Sequence, residues 1–269
     1  HIAHAAGAYY PSGFKNANII SLDGSGGTES GSLGYAEGTD INIIKHITNR
    51  GSWGLLYELV TAKLGFRRHS DEGKVMGLAA YGKPDPEGLP CVDWSGDFPI
   101  IDPEKRKTFI DSIIDRHKDD EITEYHKNLA ATLQDTLERA GIAMAQWLYE
   151  QTRFRKLVLS GGTALNCSMN GKLAQLPFVE NIFIQPAAHD AGTALGAALQ
   201  VHVEKTGERP SWIMEHAYWG PEYSNQEIEN ALTAFHDISY RKCKNICKEA
   251  AKLLREGKIV GWFQGRLEI

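Results

Sequence analysis

The sequence lacks the features that mark a disulfide-stabilised or zinc-binding protein. It contains only four cysteines in 269 residues, and apart from Cys243 and Cys247 they are widely scattered. That pair lies within a helical pattern, where a disulfide would strain the helix, and no second pair completes a zinc knuckle. We expect all four cysteines to be reduced, which fits a cytoplasmic compartment.

Long hydrophobic runs and a large excess of one charge are also missing. No apolar run reaches the roughly 18 to 20 residues that a membrane span needs. The formal net charge is −5, so no overall field draws the chain to nucleic acid or to an anionic membrane. We therefore expect small-molecule partners, with no nucleic acid and no membrane.

What the sequence does contain is a set of apolar segments that end at glycine-rich or acidic turns. They are 17–22, followed by Asp23, Gly24 and Gly26; 156–160, followed by Gly161 and Gly162; and 181–185, followed by Asp190. Glycine lets the main chain approach an anion closely, and a helix that begins after the turn adds a favourable dipole. Paired glycine turns are typical of sites that hold the phosphates of one nucleotide. Hairpin geometry or tight strand-to-helix packing is the alternative at each turn.

The order of the remaining patterns predicts an α/β fold. An apolar stripe predicts a helix over 124–151, and it is followed by strand 156–160, helix 164–175, strand 181–185 and helix 191–204. Such alternation indicates a mainly α/β sheet that binds ligands at the carboxyl ends of its strands. Nearer the amino end we predict helix 1–10, strands 17–22 and 31–37 as a hairpin, helix 51–66, and a surface loop over 84–103.

A second, incomplete unit is predicted after a linker. Residues 206–211 combine Thr, Gly, Pro and Ser, and helices 225–235 and 246–256 and a strand at 259–264 are predicted beyond them. We place the domains at 1–215 and 216–269. The chain begins with His1 rather than Met and ends directly after the predicted strand, so we interpret it as a piece of a longer protein.

Candidate metal ligands come from separate segments of the chain. His1 and His4 are three residues apart and share one face of the predicted helix, and imidazole is a common metal ligand. His4, Asp23 and Asp190 together have the His and Asp side chains that iron or a similar divalent ion requires. The alternatives are a structural histidine pair and an Asp190 that only caps the helix after it.

Lys74 and Asn166 are weaker candidates for contacts with a nucleotide. Lys74 lies in the segment 72–82, where a compact positive charge precedes small residues and suits a phosphate. The alternative is a solvated loop with an exposed ion pair. No residue can be singled out as the general base, so the catalytic residue stays unassigned.

Six segments, taken in order, resemble a known family. They read HIAHAAGAYYPS (1–12), SLDGSG (21–26), EGKVMGLAAYG (72–82), LSGGTALN (159–166), PAAHDAGTALGAA (186–198) and VGWFQGRLE (260–268). Together they are similar to the O-carbamoyltransferases of nodulation-factor and antibiotic tailoring, the NodU/CmcH type. The six blocks are distributed over nearly the whole chain, from residue 1 to residue 268.

The resemblance implies an actin-like ATPase domain, which belongs to the ribonuclease H-like sugar kinase and chaperone superfamily, without its amino-terminal part. The start of a YrdC-like domain would follow it. In such enzymes ATP and carbamoyl phosphate form carbamoyladenylate in the YrdC-like domain. The actin-like domain then transfers the carbamoyl group to a hydroxyl of a small-molecule or glycan acceptor.

The resemblance also implies roles for particular residues. By motif, His4, Asp23 and Asp190 correspond to ligands of a divalent metal, with Fe2+ the first choice, and the glycine turns face the adenylate phosphate. Two parts of the family pattern are absent, a histidine just before His1 and a Gly-Pro-Arg motif after Glu268. We expect the piece alone to be inactive. A small-molecule kinase and a nucleotide-binding regulator without chemistry are the alternatives on the same fold.

Overall fold

The computed structural model describes residues 1–268, which form two compact units, His1–Met214 and a second from Glu215 onward. Within the described residues of the first unit, five strands form the main sheet and two short strands form a separate pair. The strands are β1 (Asn16–Gly26), β2 (Glu29–Glu37), β3 (Asp40–Thr48), β4 (Val92–Asp93), β5 (Ile100–Ile101), β6 (Lys156–Ser160) and β7 (Asn181–Ile184).

The main sheet has the order β3-β2-β1-β6-β7. Strand β2 pairs antiparallel with both β1 and β3, whereas β6 runs parallel to β1 and to β7. This order, with only the second strand reversed, is that of a ribonuclease H-like sheet. The α/β fold predicted from the sequence is therefore confirmed.

Helices of the first unit cover both faces of the sheet. The helices of that unit are α1 (Ile2–Tyr9), α2 (Trp53–Lys63), α3 (Glu72–Ala79), α4 (Pro103–Ser112), α5 (Glu124–Thr152), α6 (Cys167–Ala174) and α7 (Thr193–Thr206). The second unit separately contains α8 (Asn225–Thr233) and α9 (Ile246–Arg255). Ile19 and Val158 pack beneath α1 and α7, whereas Ile20 and Leu159 face α2 and α5. This alternation follows from the two-residue period of a strand.

Helix α5 runs the length of one face, as its apolar stripe predicts. It begins with a capping box, in which the Thr123 backbone N–H donates to Nδ1 of His126, and it ends at Arg153 in a left-handed conformation. Met144 and Leu148 are fully buried in the larger core. The helix thereby packs behind β1 and leaves the carboxyl ends of β1 and β6 open.

Several details differ from the sequence-based expectations. Residues 72–82, for which no element was predicted, contain helix α3, because burial of Val75 offsets the low helix propensity of Gly73 and Gly77. Strand β3 was not predicted, since as an edge strand it buries few of its side chains. The predicted strand at 259–264 is wrong, because the described residues of the second unit provide no strand to pair with it.

The remaining general predictions concern cysteines and membranes. All four cysteines are free, with Cys91 buried and Cys167 and Cys247 exposed. Across residues 1–268, no helix combines the length and the apolar character that crossing a bilayer requires. The second unit contains α8 and α9 as predicted, and its identity as the start of a YrdC-like domain stays a prediction.

Candidate metal centre and the adjoining cavity

Three separate elements bring His4, Asp23 and Asp190 together. His4 lies in α1 and is buried, Asp23 lies at the carboxyl-terminal part of β1, and Asp190 begins the turn that leads into α7. Helix α1 packs directly against α7 at Gly7 and Gly196. The fold therefore places a histidine from one helix between carboxylates from a strand and a turn.

The distances within this group suit a divalent cation. His4 Nε2 lies 3.4 Å from Asp23 Oδ2 and 3.3 Å from Asp190 Oδ1, and the three ligand atoms all lie within 4.8 Å of one another. Two ligands bound about 2.1 Å from one ion would be separated by about 3.0 Å at a right angle and about 3.4 Å at the tetrahedral angle. The group therefore fits one ion with nitrogen and oxygen ligands.

Asp23 is held as a carboxylate by the glycine turns themselves. Its Oδ1 accepts a hydrogen bond from the Gly162 N–H at 3.0 Å, and the Gly24 N–H also donates to it. Burial acts to raise the pKa of Asp23, but hydrogen bonds from His4, Gly162 and Gly24 outweigh burial and lower the pKa to about 2. Asp23 is thus anionic at neutral pH, as a metal ligand must be.

Gly161 packs the second turn against the first. Its φ of 83° is a conformation that favours glycine, and a Cβ there would lie 2.5 Å from the carbonyl carbon of Leu22. The Gly161 N–H donates to the Ala188 carbonyl at 2.8 Å. The N–H groups of Gly161 and Gly162 therefore already have acceptors within the protein, and phosphate binding at this turn stays a prediction.

A cavity of about 590 Å³ adjoins the metal-ligand group. Of the residues predicted to contact a nucleotide, Gly24, Gly162 and Asn166 line it, together with Asp23 and Asp190. The side chain of Asn166 caps α6 by accepting from the Met169 N–H at 2.9 Å, and it exchanges hydrogen bonds of 2.8 and 2.9 Å with Gln134. Asn166 is thereby held rigidly at the cavity wall.

The other predicted residues are placed elsewhere. Lys74 Nζ forms an ion pair of 2.8 Å with Asp71 Oδ1, and neither Lys74 nor Gly26 nor Gly161 lines the cavity. Gly26 lies beside the imidazole of His1, whose Nε2 would be 3.2 Å from a Cβ at position 26. Contacts of Lys74, Gly26 and Gly161 with a nucleotide stay predictions that the geometry does not support.

His1 stacks on His4 but stands outside the group of three ligands. The two ring centroids are 6.1 Å apart, and both ring nitrogens of His1 are buried without a hydrogen-bond partner. A buried imidazole without a partner is unusual, because burying a polar group costs free energy unless it is hydrogen-bonded. The unpaired ring nitrogens of His1 are consistent with a site that binds a further group beside His4.

Sequence reasoning left several ionisable residues of the cavity wall unassigned. Glu58 from α2, Glu72 from α3 and His69 from the intervening loop all line the cavity. None of them lies in a glycine turn, and on a surface helix a glutamate has no distinguishing signal. The left-handed φ of 58° at His69 is a property of the folded chain, and no local sequence pattern predicts it.

Comparison with known proteins gives the family. A sequence profile described as "Carbamoyltransferase N-terminus" matches residues 1–199. Nodulation protein NolNO of Sinorhizobium fredii is 37% identical over 276 residues, which cover 100% of this chain and 40% of that protein. The 3'-hydroxymethylcephem-O-carbamoyltransferase of Streptomyces clavuligerus is 29% identical, over 76% of this chain and 38% of that protein.

The chain therefore belongs to the carbamoyltransferase N-terminus family. It spans 40% of the length of the NolNO protein and 38% of the length of the cephem enzyme. Among solved structures, full-length HypF in its phosphate- and nucleotide-bound form aligns with a TM-score of 0.54 and 17% identity, over 79% of this chain and 36% of HypF. This likeness supports the fold, and the family assignment rests on the sequence matches.

Proposed function

We propose that the protein is an O-carbamoyltransferase, which moves a carbamoyl group from carbamoyl phosphate, through ATP-derived carbamoyladenylate, to a hydroxyl of a small-molecule or glycan acceptor. The observation that carries this proposal is the group formed by His4, Asp23 and Asp190 at the mouth of a cavity in a chain of the carbamoyltransferase family. The acceptor class is supported by the name of the cephem relative, which is an O-carbamoyltransferase.

We propose that His4, Asp23 and Asp190 hold a divalent metal, with Fe2+ the first choice. When bound, such an ion supplies Lewis acidity that stabilises negative charge developing on the carbamoyl oxygen. The chain fixes the ligands in advance, because the amides of Gly24 and Gly162 hold Asp23 and burial holds His4. Asp190 has a side chain that is 79% exposed, so it is the ligand most able to adjust.

The adjoining cavity is proposed to receive the carbamoyladenylate. Its volume of about 590 Å³ lies within the range of small-ligand sites, roughly 300 to 1,000 Å³. Gly24, Gly162 and Asn166 bring backbone and amide groups to its wall. Because the Gly162 N–H donates to Asp23, we propose that the phosphate would be contacted mainly by other groups of the cavity wall.

The second unit is proposed to be the start of the YrdC-like domain that forms carbamoyladenylate. Its support is the segment VGWFQGRLE at 260–268, which resembles the family. Four free cysteines support a cytoplasmic location for the whole protein.

Mass spectrometry of candidate acceptors tests the proposed reaction. Full-length protein is incubated with ATP, carbamoyl phosphate and sugar or aminoglycoside acceptors, and one added carbamoyl group with release of AMP is expected. Release of ADP with a phosphorylated acceptor would instead identify a kinase. Binding of ATP without turnover or bound metal would identify a regulator.

Substitution of Asp190 tests the metal centre. Asp190→Ala removes one of the three ligands, so metal content measured by mass spectrometry of the purified full-length protein is expected to fall well below that of the wild type, together with transfer. Asp119→Ala, which changes an exposed aspartate in a loop, is the matched control and is expected to retain both. Full metal content and full transfer in Asp190→Ala would refute the ligand assignment.

A further inference from the structure

His69 has an unusual backbone conformation at the wall of the cavity. Its φ of 58° lies in the left-handed region, which residues other than glycine seldom adopt. The Glu72 side chain stabilises this conformation, because its Oε1 accepts a hydrogen bond from the His69 N–H at 2.8 Å. Strained backbone at a cavity wall is frequently associated with function.

The ring of His69 is paired with a carboxylate. Its Nδ1 lies 3.3 Å from Oε1 of Glu58, whose side chain is only 13% exposed. Arg68 holds the other oxygen of that carboxylate at 3.0 Å. The Glu58 carboxylate also packs over Gly24, since a Cβ at position 24 would lie 2.7 Å from its Oε1. Glu58 therefore links the ring of His69 to the turn that carries Asp23.

The pairing determines which nitrogen of the ring is basic. A neutral imidazole carries one N–H, and a carboxylate beside Nδ1 favours the proton on that atom, which leaves the lone pair on Nε2. The second histidine of the cavity, His189, is arranged in the opposite way. Its Nδ1 accepts from the Ala191 N–H at 3.2 Å, so its Nε2 carries the proton in the neutral form. His69 is thus the cavity histidine suited to accept a proton.

We propose that His69 is the general base that deprotonates the acceptor hydroxyl, and that Glu58 is the residue that positions its ring. The inference rests on the proposed carbamoyl transfer and assigns the base for that reaction. It stands on the histidine–carboxylate pair, the left-handed backbone held by Glu72, and the position of all three residues on the wall shared with Asp23 and Asp190.

The proposed step balances atoms and charge. The acceptor oxygen forms a bond to the carbamoyl carbon of the mixed carbamoyl–phosphate anhydride while its proton passes to Nε2 of His69. The bond between that carbon and the bridging phosphate oxygen breaks, and its electron pair leaves on AMP. The imidazolium of His69, which faces the Glu58 carboxylate, then returns the proton to water.

Two probe acceptors separate a base from a structural residue. In full-length protein with metal, ATP and carbamoyl phosphate, glycerol provides a hydroxyl that must lose a proton, whereas hydroxylamine is nucleophilic as a neutral molecule. His69→Asn is chosen because Asn tolerates the left-handed conformation. It is expected to lower kcat for glycerol by about 100- to 10,000-fold and to leave the hydroxylamine reaction and the KM for ATP within about threefold.

Two further variants sharpen the test. In His69→Gly, which fits the observed φ, added imidazole is expected to restore glycerol carbamoylation. The matched control is His46→Asn, because His46 Nδ1 pairs with Glu29 Oε2 at 3.0 Å outside this cavity.

The outcomes distinguish this inference from the proposed function. Wild-type protein that carbamoylates neither probe contradicts both. Active wild type with undiminished glycerol transfer in His69→Asn overturns only the assignment of the base. Equal losses with glycerol and hydroxylamine, or failure of imidazole to restore His69→Gly, would make His69 a structural residue and would equally overturn the proposal.

Discussion

Substitution of Gly161 by Ala is expected to destabilise the protein strongly. The backbone at this residue has φ 83° and ψ 159°, a region that is essentially restricted to glycine and costs about 1 to 3 kcal/mol for other residues. The added methyl would also lie 2.5 Å from the Leu22 carbonyl carbon and 2.9 Å from the Leu22 nitrogen, and overpacking of this kind costs about 1 to 3 kcal/mol. The lower entropy of the unfolded chain offsets about 0.4 to 1 kcal/mol.

The free energy of unfolding of Gly161→Ala is therefore expected to decrease by about 2 to 4 kcal/mol. Urea denaturation followed by tryptophan fluorescence measures it. Gly171→Ala is the control, because Gly171 lies within α6 with nothing within 4 Å of a Cβ, and Ala there should stabilise by about 0.5 to 1 kcal/mol. A Gly161→Ala protein within about 0.5 kcal/mol of the wild type would show that the turn relaxes easily and that this reasoning is wrong.

Three other predictions concern a cap, a pH dependence and the core. The Oγ of Ser52 caps α2 by accepting a hydrogen bond from the Leu55 N–H, and it donates to the Gly24 carbonyl at 2.7 Å. Ser52→Ala removes both hydrogen bonds and should lower the free energy of unfolding, measured by urea denaturation, by about 1 to 2 kcal/mol. Burial, and to a smaller extent the positive charge of Arg116, lowers the pKa of His126 below its ordinary value of 6.5. The contribution of neutral His126 to the free energy of unfolding is therefore fully present above pH 6.5 and is lost as the pH falls below it. His126→Gln should show a smaller difference in unfolding free energy between neutral and mildly acidic buffer, and an equal difference would contradict this. Leu148→Ala should cost about 2 to 5 kcal/mol, whereas exposed Ile114→Ala should change little.

Local patterns were sufficient to predict four of the five strands of the main sheet and most of the helices of the first unit. The apolar segments that became β1 and β6 and the long stripe of α5 each carry their own period, so no neighbour is needed to recognise them. Strand β3 and helix α3 were missed because their stability depends on partners. Strand β3 is half-exposed at the sheet edge, and α3 depends on the burial of Val75.

The candidate site could be predicted only where a local motif marks the residue. Asp23 and Asp190 follow predicted strands, and His4 lies on a predicted helix three residues from His1. The structure brings the three together, although metal binding itself stays a prediction. Glu58 and His69 belong to the site through tertiary packing alone. The sequence did not indicate that the Gly162 N–H donates to Asp23, and the use of the glycine turns for phosphate stays a prediction.

The contact between α1 and α7 determines which of the candidate ligands can move. A Cβ on Gly196 would lie 2.7 Å from the Ala3 carbonyl carbon and 2.9 Å from the Gly7 nitrogen, so the two helices meet backbone to backbone. This contact fixes α1, which carries the buried His4. Asp190 lies in the turn before α7, and its side chain is 79% exposed. If the group binds a metal as proposed, His4 would keep its position while the Asp190 carboxylate adjusted to the radius of the ion.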